Sequence, residues 1–213
     1  MAGKREEQKR ATRVRILDAA AGLLVDRGYS ALSTLAVQRA AGVTRGALLH
    51  HFPTIAALVS ELVAHLVARN EAAVHEVAAQ LDNNSDPVMR ALTALHESMT
   101  RPAAQAEFEL WAAARTDPAL AVALRDAERR AGRDLHRVID TLFGPRIIDH
   151  PRYPAIRDLT VAILRGTALA RPLHATGHSA TTTVGQWAEA IDILITPRSS
   201  TNPTDNTAPT CVI

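Results

Sequence analysis

Residues 13–62, RVRILDAAAGLLVDRGYSALSTLAVQRAAGVTRGALLHHFPTIAALVSEL, decide the fold. In the first part, Val14, Leu17, Ala20, Ala21, Leu24 and Val25 recur at three- and four-residue spacing. That spacing predicts one helix over 13–27, stopped by Gly28. Ser33 is a natural N-cap for a short second helix over 34–41, in which Leu35 and Val37 need an apolar partner. Gly42 permits the positive φ of a tight turn, Val43 plugs the angle, and Thr44 caps a third helix reaching about residue 52. Two short helices around Ala-Gly-Val make a helix-turn-helix. Pro53 ends the third helix and can occupy the first turn of a long fourth, over 54–80.

Outward from this segment the helical reading continues. The polar stretch LDNNSDP at 81–87 is a break, and further helices are expected over 88–100, 103–116, 118–142, 155–174 and 182–195. Their separators are Arg101-Pro102, Asp117-Pro118, the Gly144-Pro145 and His150-Pro151 pairs, and residues 175–180. The first dozen residues are polar without an apolar stripe, which reads as a flexible basic arm, and residues 197–213 read as a disordered tail. The expected organisation is therefore an arm (1–12), a helix-turn-helix domain (13–53), a larger helical domain (54–196) and the tail. Composition agrees with an all-α chain: 47% of the 213 residues are hydrophobic, enough to bury a core, yet only 3% are aromatic.

Charge is distributed unevenly. Residues 1–53 carry nine Lys or Arg against four Asp or Glu, a net of +5, although the whole chain is only +2. A basic head on a mildly acidic body points to a polyanion met by the head alone. The start lacks the apolar core of a signal peptide and no later segment reaches the length of a membrane span, so a cytoplasmic protein with no membrane partner is expected. The single cysteine, Cys211, excludes an internal disulfide and a cysteine-based zinc site. The chain holds no phosphate-cradling glycine loop, nucleophile elbow, His-Glu metal motif or cofactor fingerprint, so neither an enzyme nor a cofactor is expected.

In order and spacing, Ile16-Leu17, Ala19-Ala20, Gly28-Tyr29, Ala41-Gly42-Val43-Thr44, Gly46-Ala47-Leu48 and His51-Phe52-Pro53 closely resemble the DNA-binding region of TetR-family regulators. The resemblance covers about fifty residues and fades beyond Leu62. It implies an all-helical homodimer bound to a palindromic duplex operator, with an N-terminal three-helix DNA-binding domain and a C-terminal domain for dimerisation and a small-molecule effector. It places Gly46, Ala47 and His50 in the interface and His51 on a phosphate. Arg45 is the chosen base reader, because its planar fork matches the O6 and N7 acceptors of guanine. Ser33, Thr34 and Thr44 put hydroxyls and helix N-terminal amides where phosphate oxygens would lie.

Three positions depart from the family pattern. Gln38 replaces a small residue at the helix crossing, Leu49 a common phosphate-contacting tyrosine, and Ile55 a phosphate-clamping lysine. Losing two phosphate contacts should lower the salt slope by about one to two units. Leu49 can instead meet a thymine methyl.

In the C-terminal half, Ile156, Leu159, Ile163, Gly166, Leu169 or Ala170 and Leu173 form one apolar face, and Val184, Trp187, Ala188, Ile191 and Leu194 a second. By resemblance these two helices pack against a partner's, with Gly166 and Ala170 allowing close approach. His96, Met99, Phe108, Trp111, Arg115, His136 and Arg165 mix apolar and polar groups as an effector cavity requires. Arg115 and Arg165, if both face inward, favour an acidic effector.

Overall fold

The computed structural model describes residues 2–82, 86–173 and 178–196, and every regular element among them is helical. In chain order these are α1 (Ala2–Arg27), α2 (Thr34–Ala41), α3 (Arg45–His51), α4 (Ile55–Gln80), α5 (Pro87–Met99), α6 (Pro102–Ala114), α7 (Pro118–Phe143), α8 (Pro145–Ile148), α9 (Tyr153–Ala170) and α10 (His178–Ile195). Short 3-10 turns at Tyr29–Ala31 and Arg171–Leu173 follow α1 and α9. The tail at 197–213 and part of the separator before α10 lie outside the described residues.

Local chemistry sets the boundaries. Side-chain oxygens of Ser33, Thr44, Thr54, Asp86 and Asp117 each accept from a backbone N–H one turn into α2, α3, α4, α5 and α7. Such caps satisfy amides that a helix start leaves orphaned. Proline occupies the first turn of α5, α6, α7, α8 and α9, where its missing N–H costs nothing.

Helix α1 differs from the expected arm. It runs unbroken from Ala2, so residues 2–12 are helical. They are Ala, Lys, Arg, Glu and Gln with little else, the residues that lose least entropy in a helix, and no proline or cap interrupts them. The apolar stripe is missing because this part is exposed on all sides, and propensity alone carries the helix outward from the buried Ile16, Leu17, Ala20 and Leu24.

Gly42 adopts φ 61° and ψ 38°, the left-handed conformation, and its N–H closes the end of α2 onto the Arg39 carbonyl. A Cβ here would meet no atom within 4 Å. Gly42→Ala should therefore destabilise through backbone strain alone, by about 1 to 2 kcal/mol. Urea unfolding measures it, and an unchanged midpoint would contradict it.

Two apolar clusters form the interior. One joins α1–α4 to α6 and α7, through residues such as Leu24, Val37, Leu48, Phe52, Leu62, Leu110 and Leu124. The other joins α5, the end of α7, α8, α9 and α10 around Leu92, Ile139, Ile156, Leu164 and Ile191. Because α4, α6 and α7 share the first cluster, position 53/54 is no break in packing. The apolar face expected to pair α10 with a partner is internal: Val184, Trp187, Ala188 and Ile191 are buried in the second cluster, where Trp187 donates to Thr160 Oγ1 at 2.9 Å. Ile156 is likewise buried, whereas Leu159, Gly166, Leu169 and Leu173 face outward. Both α9 faces are apolar, so periodicity alone did not tell which one the protomer buries.

Candidate DNA interface and internal cavity

The turn between α2 and α3 is held by Gly42 and by Val43, whose N–H donates to the Gln38 carbonyl at 3.2 Å. Thr44 Oγ1 accepts from Ala47 N–H at 3.1 Å, and Leu48, 1% exposed, anchors α3 in the core. The remaining surface of α3 is open: Arg45, Gly46, Leu49 and His50 are exposed, and Ala47 and His51 are half-buried. Ser33, Thr34 and Thr44 are exposed beside them. Every residue expected at the duplex is thus accessible, at the start of α2 or along α3, a helix short enough to enter a major groove.

The three departures have separate structural consequences. Gln38 is half-buried and its backbone carbonyl, not its side chain, holds the turn. Ile55 packs against the first cluster, so it replaces a surface cation by core area. Leu49 is 38% exposed, and Leu35 on α2 is 51% exposed rather than packed as expected. The start of a two-turn helix faces solvent on one side, and Val37 alone fills the core position there.

His51 sits where α3 meets the basic half of α1, in a shallow groove lined also by Lys9, Arg10 and Arg13. Burial, then His50, Arg13 and Lys9, lower its pKa below the usual imidazole value, so it is neutral near pH 7 and has one ring N–H to donate. Arg13 pairs with Glu61 at 2.7 Å and lies over the Phe52 ring at 5.0 Å. The helical arm thereby places cations beside α3, which a flexible arm would not fix.

A cavity lies among α4, α5, α6, α7 and α9. It encloses about 590 Å³ of atom-free space, its open mouth included, and water centres fit over about 60 Å³ of it. That exceeds the roughly 10–15 Å³ one water needs, so it holds several waters or a small organic molecule. Met99, Phe108 and Arg165, three of the residues expected at an effector cavity, line it. Trp111 stands behind: its indole N–H donates to Glu128 at 2.6 Å, its ring lies under the Arg165 guanidinium at 4.5 Å, and Phe108 is 5.4 Å away. The other three expected residues do not line it. Arg115 is exposed at the C-cap of α6, His136 is 3.8 Å from Asp158, and His96 on α5 has Glu97 and Arg171 as its charged neighbours.

Residues missed in the sequence complete the wall: Asn70 and Glu71 on α4, Glu107 on α6 and Asp134 on α7. Glu107 is only 7% exposed and accepts from Asn70 Nδ2 at 2.9 Å. Burial, and next the charge of Glu128, push its pKa up to about 7, against the pull of Arg165 and the Asn70 hydrogen bond. Burial also lowers the Arg165 pKa, which the two glutamates partly restore.

Residues 16–62 match the model of the bacterial regulatory proteins of the tetR family. The matched segment is thus similar to the N-terminal part of that family. The match spans the α2–α3 helix-turn-helix just described. The chain is 25% identical over 171 residues, 80% of its length and 88% of the relative's, to the uncharacterized HTH-type transcriptional regulator Rv2912c of Mycobacterium tuberculosis. In fold it resembles a TetR-family member, SCO1917 of Streptomyces coelicolor, with TM-score 0.63 and 23% identity over 87% of this chain and 99% of that one. It also resembles a multidrug binding protein, EbrR, solved with imidazole, with TM-score 0.60 and 23% identity over 88% and 97%. Among the described residues, no single helix is long and apolar enough to cross a membrane.

Proposed function

We propose that the chain is a homodimeric, sequence-reading repressor that leaves a palindromic operator when a small molecule fills the cavity. The observation that carries this reading is the double attachment of α4. Val67, Asn70, Glu71 and Val74 on α4 form one cavity wall. On the same helix, Glu61 pairs with Arg13, and both His65 Nε2 (2.8 Å) and Arg69 (3.1 Å) meet Asp18 of α1. Displacement of α4 by an effector is thereby transmitted to the helix that carries the recognition unit. A coupling of about 1 to 3 kcal/mol between the two sites suffices. The likeness of fold to a multidrug binding protein agrees with a small-molecule effector.

A second copy fits the outward stripe of α9. Leu159, Ala162, Gly166, Leu169 and Leu173 are exposed at three- and four-residue spacing, and a Cβ on Gly166 would meet nothing within 4 Å. An operator with two half-sites requires such a pairing. In this reading Arg45, Leu49 and His50 read bases, and Ser33, Thr34, Thr44, His51 and the basic face of α1 hold phosphates.

Selection of the purified protein on random duplex DNA, repeated across salt concentrations, tests it. A palindromic site should emerge, and Arg45→Ala should weaken that site by about 1 to 3 kcal/mol, roughly 5- to 150-fold, with relaxed choice at one position. The exposed Leu35 and Leu49 and the half-buried Ile55 favour a second reading, a helical small-molecule or partner-binding protein with weakened DNA binding. Absence of enrichment even at low salt would select it.

A further inference from the structure

The cavity's charge is one-sided. Glu107 is buried in its wall, Glu71 and Asp134 are half-buried in it, and among the described residues Arg165 is the only lysine or arginine lining it. Arg165 is already committed, stacked on Trp111 and balanced by Glu107 and Glu128. Asp134 keeps Arg137 at 3.1 Å on its outer side. An anionic guest would therefore meet three carboxyl groups and one cation already committed, which is costly away from water.

The hydrogen-bonding groups lean the same way. Asn70 spends its Nδ2 on Glu107, and its Oδ1 is buried without a partner. A buried orphan acceptor costs about 1 to 3 kcal/mol until a donor reaches it. Beside it stands the Glu107 carboxyl, a second acceptor once ionised. The side chains interleaved with them, Val67, Val74, Met99, Phe108, Leu135 and Val138, are apolar.

We propose that the effector is a small organic cation with one apolar ring or chain, an amine or amidine, whose N–H groups donate to Glu107 and Asn70 Oδ1. The inference rests on the effector reading above and specifies its chemistry. Phe108 and the apolar wall enclose the body of the guest. Glu71 and Asp134, nearer solvent, attract its charge to the mouth. The guest's charge favours ionised Glu107, so below about pH 7 binding releases the proton that Glu107 otherwise holds.

Benzamidine, benzamide and benzoate have nearly one shape and differ in charge, so they separate class from fit. Calorimetric titration of each into the full chain, at about pH 8, should show benzamidine binding about tenfold or more tighter than benzamide, and benzoate weakest. Glu107→Gln, a nearly isosteric change, should bring benzamidine down to the benzamide level. Ala104→Met, which fills the cavity without touching its carboxylates, should abolish binding of all three. Tightest binding of benzoate or benzamide, or a cation preference that survives Glu107→Gln, would overturn the cationic class while leaving a cavity that binds small molecules. Binding of none of the three, or binding indifferent to Ala104→Met, would overturn the class and the cavity's role as effector site together.

Discussion

Phe52→Ala should cost about 3 to 5 kcal/mol of stability and remove operator binding with it. Phe52 follows the last residue of α3, is 2% exposed, and donates its N–H to the Leu48 carbonyl at 2.8 Å. Its ring fills the first apolar cluster, with the Arg13 guanidinium over its face. Truncation leaves a cavity where α1, α3 and α4 converge, and only Leu48 then fastens the seven-residue α3 from its buried side. A helix of that length has no stability of its own. Folded domains hold only about 5 to 15 kcal/mol in total, so the loss is a large share of the whole. Guanidinium unfolding followed by helix content checks the first part, and DNA titration the second. Phe52→Leu, which keeps most of the volume, should cost less than about 1.5 kcal/mol and retain binding. A Phe52→Ala chain as stable as the parent would show that α3 is held by other contacts.

The recognition unit was legible because its signals are local. Ser33, Gly42 and Thr44 each act within one turn of their own position as their chemistry dictates, whereas Pro53 follows the end of α3 but stands before the Thr54 cap and not in the first turn of α4. The helical arm was not legible by periodicity, since a solvated helix has no stripe to find; its Ala, Glu, Lys and Arg content was the available signal. The α10 face was read as intermolecular because an apolar stripe does not say which neighbour covers it. The cavity was legible only where an aromatic or sulfur side chain marked it. Glu107 was missed because a lone carboxylate reads as surface. Its flanks gave the clue: Ala103, Ala104, Ala106, Phe108 and Leu110 surround it on a helix that is apolar nearly all round, and such a helix is buried. Arg115, His96 and His136 fell the other way, for no local pattern tells an inward cation or imidazole from one at a helix end or a surface pair.

That buried carboxyl yields the second large effect. Glu107 ionises near pH 4.5 in an unfolded chain and at about 7 in the folded one. Between those values the native protein holds a proton that the unfolded chain has released. Stability must therefore fall as pH rises through this window and level off above it. The shift corresponds to about 3 kcal/mol at most, present below the unfolded pKa and lost by about pH 8. The groups that face Glu107 fix the sign: burial and Glu128 on α7 disfavour its charge, Asn70 on α4 and Arg165 on α9 favour it, and the first pair wins. Glu71 and Asp134 add negative charge on the same wall. Glu107→Gln removes the titration while preserving shape, so its stability should lack this descent. Denaturant unfolding at about pH 5 and pH 8 for both chains isolates the effect, because all other titrations are common to the two. The difference between variant and parent should shift by about 2.5 kcal/mol in favour of the variant on going to the higher pH. Parallel behaviour would mean that Glu107 ionises in the folded chain as freely as in water, and that the cavity is wet enough to solvate it.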